Sequence, residues 1–178
     1  MDDSLKYGDY QIPKGHESIL TALYNHHEAT ALHSLTVAAY TKEFLESIGE
    51  NKTDVKKGFL AALVHDAGKL AVPSELLNKK GILTEEEKAL ISNHTSGARA
   101  YLDGTIKESE LGDEISIEGI DVFDIHVAES HHLPSEQIPY LTRCIEICDV
   151  YAALTENRMY RDPASMREAL HTDRKSVV

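Results

Sequence analysis

A histidine and an aspartate stand side by side at the end of an apolar run, AALVHDAGK, and this pair constrains the fold more than any other feature of the chain. An imidazole and a carboxylate carried into an interior by an apolar helix need partners there, because a buried polar or charged group without one is costly. Candidate partners lie far apart in the chain. His33, His94, the pair His131-His132 and Asp149 each fall in a different helical segment. The chain is therefore expected to bring several helices together around a polar centre of the kind that holds metal.

The helical segments follow from apolar spacing. From Glu17 to Ile48 apolar residues recur at helical intervals, predicting one or two helices with His33 inside and Gly49 as the stop. Asp54 can cap a helix that delivers His65 and Asp66 at its end. Thr84 with Glu87 three residues on is a capping box, opening a helix that carries His94 and fades near Gly104. Residues 105–118 mix charge and glycine and are expected to be a solvated excursion. A further helix is expected over about 119–132. Another should start at Pro139 and carry Asp149, and a last short one should open at Asp162-Pro163. No repeat and no alternating strand of useful length is present. The fold expected is all-α: a single-domain helical bundle with a buried metal centre, with an irregular lead-in over 1–15, the domain over 16–172 and a polar tail over 173–178.

Length and charge narrow the partners. A chain of 178 residues can bury one substantial core. Its net charge of -12 would repel duplex nucleic acid at large while leaving room for a small phosphate ester held by metal. No apolar run has the roughly 18–20 residues of a membrane helix, and the opening MDDSLKYGDY is unlike a secretory signal. No membrane association and a cytoplasmic location are expected. Whether the chain forms a homo-oligomer is left open. Cys144 and Cys148, four apart in an apolar segment, read as small core residues. The ten histidines outnumber methionine and phenylalanine together, which directs attention to metal.

The stretch LAALVHDAGKLAVPSELLNKKGILTEEEKALISNHTSGARAYL resembles the HD-GYP branch of the HD superfamily of metal-dependent phosphohydrolases, whose pattern has HDxGK, then K-x-G-x-L-T-x-E-E and a lone histidine. The later SHH and ICDVYAALTENRMYR are similar to two further segments of that family, in the right order over roughly residues 29–170. The resemblance implies an HD-type bundle. It also implies a phosphohydrolase or phosphodiesterase acting on a nucleotide or cyclic (di)nucleotide.

By this resemblance His33, His65, Asp66 and Asp149 match the ligand set that holds one metal, and His94, His131 and His132 match the ligands that add a second. Asp66 would bridge the two. Two divalent transition-metal ions are implied, iron or manganese, and a pair about 3.5–4 Å apart can activate water and clamp phosphoryl oxygens. Asp66 and Lys69 are the expected catalytic residues, with Lys69 contacting a substrate phosphate as a point charge. Arg158 and Arg161 match two family arginines and would either bind phosphate or form surface ion pairs with Glu156 and Asp162.

The chain also departs from the family. HHLPSEQIP stands where the family has HHE-x-x-DGSGYP, so the Gly-Tyr-Pro loop is missing. Met159 replaces a proline and Ala152 a second aspartate. Ala29 occupies a position where some members carry a glutamate for a third metal. His16, His26, His27, His126 and His171 read as non-ligands, with His26 and His27 the first to reconsider. Tyr151, Leu154 and Tyr160 read as packing. Two alternatives to a binuclear enzyme stay open: a catalytically silent nucleotide-binding or signalling module, and a mononuclear nucleotidase using only His33, His65, Asp66 and Asp149.

Overall fold

The computed structural model describes residues 5–112 and 114–155. Arg158 and Arg161, Tyr160, His171, the expected last helix and the polar tail lie outside the described residues. The regular elements of the described residues are helices apart from an isolated bridge between Glu108 and Glu114 and one short hairpin, β1 (Lys6–Tyr7) and β2 (Tyr10–Gln11), turned at Gly8. Its tyrosines lean on the core, with the rings of Tyr7 and Tyr10 centred 4.9 and 5.6 Å from that of Phe59. The expected irregular lead-in thus contains a hairpin and the start of α1.

Helix α1 (Lys14–His26) and helix α2 (Glu28–Ser47) are separated at His27, whose backbone is extended. Neither glycine nor proline marks this break. The His27 ring closes it, with Nδ1 2.8 Å from the Thr30 hydroxyl, while His26 Nε2 donates to the Val72 carbonyl at 2.7 Å. His26 and His33 therefore do not share one continuous helix face. Helix α3 (Lys52–Val64) begins one residue after Asn51, whose side chain accepts from the amides of Thr53 and Asp54. Asn51 is the cap, and Asp54 lies in the first turn.

After α3 come a 3-10 turn (Ala67–Ala71) and the single turn α4 (Ser74–Leu77). The Thr84–Glu87 capping box forms and opens α5 (Glu85–Ser92). The expected run to Gly104 is interrupted at Asn93, and a second helix, α6 (His94–Leu102), starts on His94 itself. Helix α7 (Val122–Ser130) carries a capping box that sequence reading missed, Asp121 with Asp124, and α8 (Tyr140–Thr155) follows Pro139. The expected solvated excursion is only partly so. Ile115 is buried in the core and the strap is tied to α1 through Gly15 N to Glu118 O at 2.8 Å.

The core runs between α1, α2, α3, α6, α7 and α8, with Ile19, Leu23, Val37, Phe59, Leu63, Leu70, Leu102 and Ile145 fully buried. Each such side chain contributes roughly 1.5–3 kcal/mol by leaving water. The two cysteines are buried and free, and burial pushes the Cys148 thiol up to about 11. They belong to the packing. Tyr151 does too, its ring edge-on to Tyr40 at 5.3 Å. Among the described residues no helix is long and apolar enough to cross a membrane.

Candidate metal centre

The bundle encloses a polar centre in which six of the expected side chains are buried: His33, His65, Asp66, His94, His131 and Asp149. His132 joins them from the surface, its ring 4.1 Å from that of His131 and 5.2 Å from that of His94. Three groupings have ligand atoms within 4.8 Å of one another: His33, His65 and Asp66; His65, His131 and Asp149; and His94, His131 and His132.

Helix ends do most of the aiming. His65 caps α3 and its Nδ1 donates to Ala62 O at 2.7 Å, while His131 caps α7 and donates to Val127 O at 3.1 Å. His94 follows α5 and donates to Ile91 O at 2.8 Å. A carbonyl in the last turn of a helix has two lone pairs and at most one amide donor, so it can also accept from a ring N–H placed there. Because a carbonyl can only accept, the proton sits on Nδ1 and the lone pair of each ring sits on Nε2, directed inward.

Those lone pairs meet other acceptors. His94 Nε2 is 3.4 Å from His131 Nε2 and 3.3 Å from Asp66 Oδ1. His65 Nε2 has no hydrogen-bond partner, although it lies 3.5 Å from Asp66 Oδ2 and 4.0 Å from Asp149 Oδ1. His33 Nε2 is 2.8 Å from Asp149 Oδ1. A buried cluster of nitrogen lone pairs and carboxylate oxygens with so few donors suits cations, and imidazole with carboxylate suits divalent transition metals. The residues fit the group.

Electrostatics keep the donor set in its ligating form. Burial, helped by the neighbouring His65 and His132, pushes His131 down to about 3, so it stays neutral. For Asp66 burial works upward, but Lys69, His65 and His94 outweigh it and hold the carboxyl well below the usual range. Asp149 is lowered in the same way, its burial outweighed by the neighbouring His33 and His65. Lys69, at the rim, places Nζ 2.6 Å from Asp66 Oδ2.

Comparison with known proteins assigns the framework. Residues 30–154 match the HD domain. The chain belongs to the HD-domain family. This HD chain is 35% identical over 144 residues to a cyclic di-GMP phosphodiesterase of Pseudomonas aeruginosa, a match covering 80% of this chain and 34% of that protein. It is 31% identical over 159 residues to 3'3'-cGAMP-specific phosphodiesterase 1 of Vibrio cholerae, covering 83% and 34%. A cyclic di-GMP phosphodiesterase of Thermotoga maritima is 28% identical over 141 residues, covering 79% and 38%. The HD chain thus spans about a third of the length of these relatives, and the matches agree with the resemblance to the HD-GYP branch.

Of the histidines set aside in the sequence, His16 is fully buried with Nε2 3.2 Å from Asp124 Oδ2, poorly aligned for a hydrogen bond and among the residues joining α1 to α7. His27 is half-buried at the break between α1 and α2. Burial and then the charge of Lys69 lower it, and Asp66 opposes them.

Proposed function

We propose that the chain is a metal-dependent phosphodiesterase that hydrolyses nucleotide phosphodiesters, cyclic dinucleotides among them, at a two-ion centre. His33, His65, Asp66 and Asp149 would hold one ion and Asp66, His94, His131 and His132 the other, with iron or manganese in both places. When bound, such ions lower the pKa of water and offset the charge that builds on a phosphoryl group. Asp66 supports the assignment above all other residues, because its two oxygens face different histidines, Oδ2 toward His65 and Oδ1 toward His94.

The chain's own side chains do the rest. Helix-end carbonyls fix the tautomers of His65, His94 and His131, so these ligands need no rearrangement to present their lone pairs. Lys69, partly exposed beside a buried Asp66, can turn its ammonium to a phosphate oxygen at the mouth. Arg158 and Arg161 are proposed to hold phosphate from beyond the described segment. The similarity to proteins named for cyclic di-GMP and cGAMP supports the substrate class. The short Leu133–Pro139 connection, with its 3-10 turn Ser135–Gln137, argues for weak selection within that class.

The test is elemental analysis of anaerobically prepared protein beside a turnover screen of cyclic dinucleotides, linear dinucleotides and mononucleotides. Two ions per chain with phosphodiester hydrolysis are expected. One ion with mononucleotide hydrolysis would replace this assignment by a mononuclear nucleotidase, and bound metal without turnover of any ester would replace it by a silent binding module.

A further inference from the structure

Gly68 lies in the 3-10 turn between Asp66 and Lys69, pressed against the start of α6. A Cβ added there would collide with the carbonyl oxygen of His94, and would stand 2.7 Å from the His94 carbonyl carbon and 3.0 Å from the Ala98 nitrogen. All three are backbone atoms, so no side-chain rotation relieves the clash. The backbone of Gly68 is not left-handed, so space and not conformational freedom demands glycine here. The same contact between the turn and α6 contains Gly97, whose added Cβ would find only the Cβ of Ala71, at an ordinary 3.9 Å.

We propose that Gly68 is a positioning residue that sets the separation of Asp66 from His94, and through it the second metal position. The inference rests on the Asp66-bridged two-ion assignment. His94 carries both the carbonyl packed on Gly68 and the ring whose Nε2 is 3.3 Å from Asp66 Oδ1. Any withdrawal of α6 that makes room for a methyl group therefore draws that ring away. Clearing the backbone clash needs a shift on the order of 1 Å, beyond the roughly 0.5 Å within which site geometry has to be held. His33, His65 and Asp149 are carried by α2, the end of α3 and α8, so their grouping should survive.

The experiment titrates Mn2+ into chelator-stripped wild type, Gly68→Ala, Gly97→Ala, His94→Ala and the Gly68→Ala/His94→Ala double variant. Stoichiometry and affinity are read by equilibrium dialysis, the spin-coupled signal of a manganese pair by electron paramagnetic resonance, and folding by circular dichroism. Wild type and Gly97→Ala should each bind two coupled ions. Gly68→Ala should keep the first ion at wild-type affinity, bind the second at least 10-fold more weakly and lose the coupled signal. The double variant should be no worse than His94→Ala. Wild type binding a single ion would remove the two-ion assignment and this inference with it. Given two ions in wild type, the inference alone is overturned if Gly68→Ala binds both normally or loses both. It is equally overturned if that variant fails to fold while Gly97→Ala folds, since Gly68 would then be a general packing requirement.

Discussion

Lys69 Nζ stands 2.6 Å from Asp66 Oδ2, with the lysine side chain about one-fifth exposed and the aspartate almost fully enclosed. In the metal-free protein this ammonium, among the described residues, supplies positive charge directly beside a carboxylate that burial would otherwise push toward protonation. Lys69→Met keeps the aliphatic stem and removes the charge. It should destabilise the metal-free protein by about 1–3 kcal/mol, below the full cost of breaking a buried pair because the lysine is partly solvated. Saturating Mn2+ should close most of that gap, since bound cations then compensate Asp66. Thermal unfolding with chelator and with Mn2+ measures both effects. An equal loss under the two conditions would show that Lys69 stabilises the fold in some other way.

Asp66 turns a different oxygen to each of two histidines, Oδ2 to His65 across 3.5 Å and Oδ1 to His94 across 3.3 Å, whereas Asp149 meets His33 and His65 through Oδ1 alone. Asp66→Ala should therefore remove both ions and all hydrolysis, whereas His94→Ala should remove mainly one. Metal content by elemental analysis, with bis-p-nitrophenyl phosphate as a generic ester, separates the two outcomes. Wild-type turnover by Asp66→Ala would place the catalytic centre elsewhere.

Much of this centre was legible because its chemistry is written in residue types that do not otherwise gather in apolar helices. His65-Asp66 stands out at the end of AALV, and the structure does bring His33, His94, His131, His132 and Asp149 around it. What stayed hidden depends on contacts remote in sequence. The break at His27 is closed by a ring-to-hydroxyl hydrogen bond and adjoins the His26 bond to Val72, 46 residues away. The interruption at Asn93 looks like continuous helix in an apolar pattern, yet it lets the Ile91 carbonyl accept the ring N–H that orients His94. The strap over 105–118 reads as solvent-facing by composition, and only its pairing with α1 shows why Ile115 is buried.

Acid should unfold the metal-free protein through the same centre. His131 falls from 6.5 to about 3 in the folded state, chiefly by burial, so the unfolded chain binds more protons between those values. A lowered histidine pKa gives stability that is complete above about 6.5 and lost as pH falls toward 3. His132 and His27 are lowered too and act in the same direction, while the lowered Asp66 and Asp149 withdraw their contributions only below the ordinary carboxylate range. Melting temperature in chelator should drop from pH 7 to pH 4.5, and His131→Leu should flatten the slope. Parallel slopes for the two proteins would exclude His131 as a source of the acid sensitivity.

Substrate selection should be weaker than the chemistry is strong. Between His132 and α8 the chain allows only Leu133–Pro139, a 3-10 turn pinned by the buried Ile138, where the HD-GYP pattern has a longer loop carrying Gly-Tyr-Pro. Contacts from such a loop would bear on the parts of a two-base substrate remote from the reacting phosphate. Binding energy from remote groups is what positions a large substrate, so its loss costs discrimination before it costs the reaction. The proposed ligands lie outside the shortened segment, which begins just after His132, so with Lys69 they would keep their hold on a phosphate. Metal-dependent hydrolysis of small phosphate esters should therefore be measurable, with cyclic di-GMP a poor or unremarkable substrate. The comparison is kcat/KM for cyclic di-GMP, linear dinucleotide and mononucleotides at identical metal loading. A preference for cyclic di-GMP above about 100-fold, or roughly 2.7 kcal/mol of differential transition-state binding, would mean that another surface of the protein supplies the missing contacts.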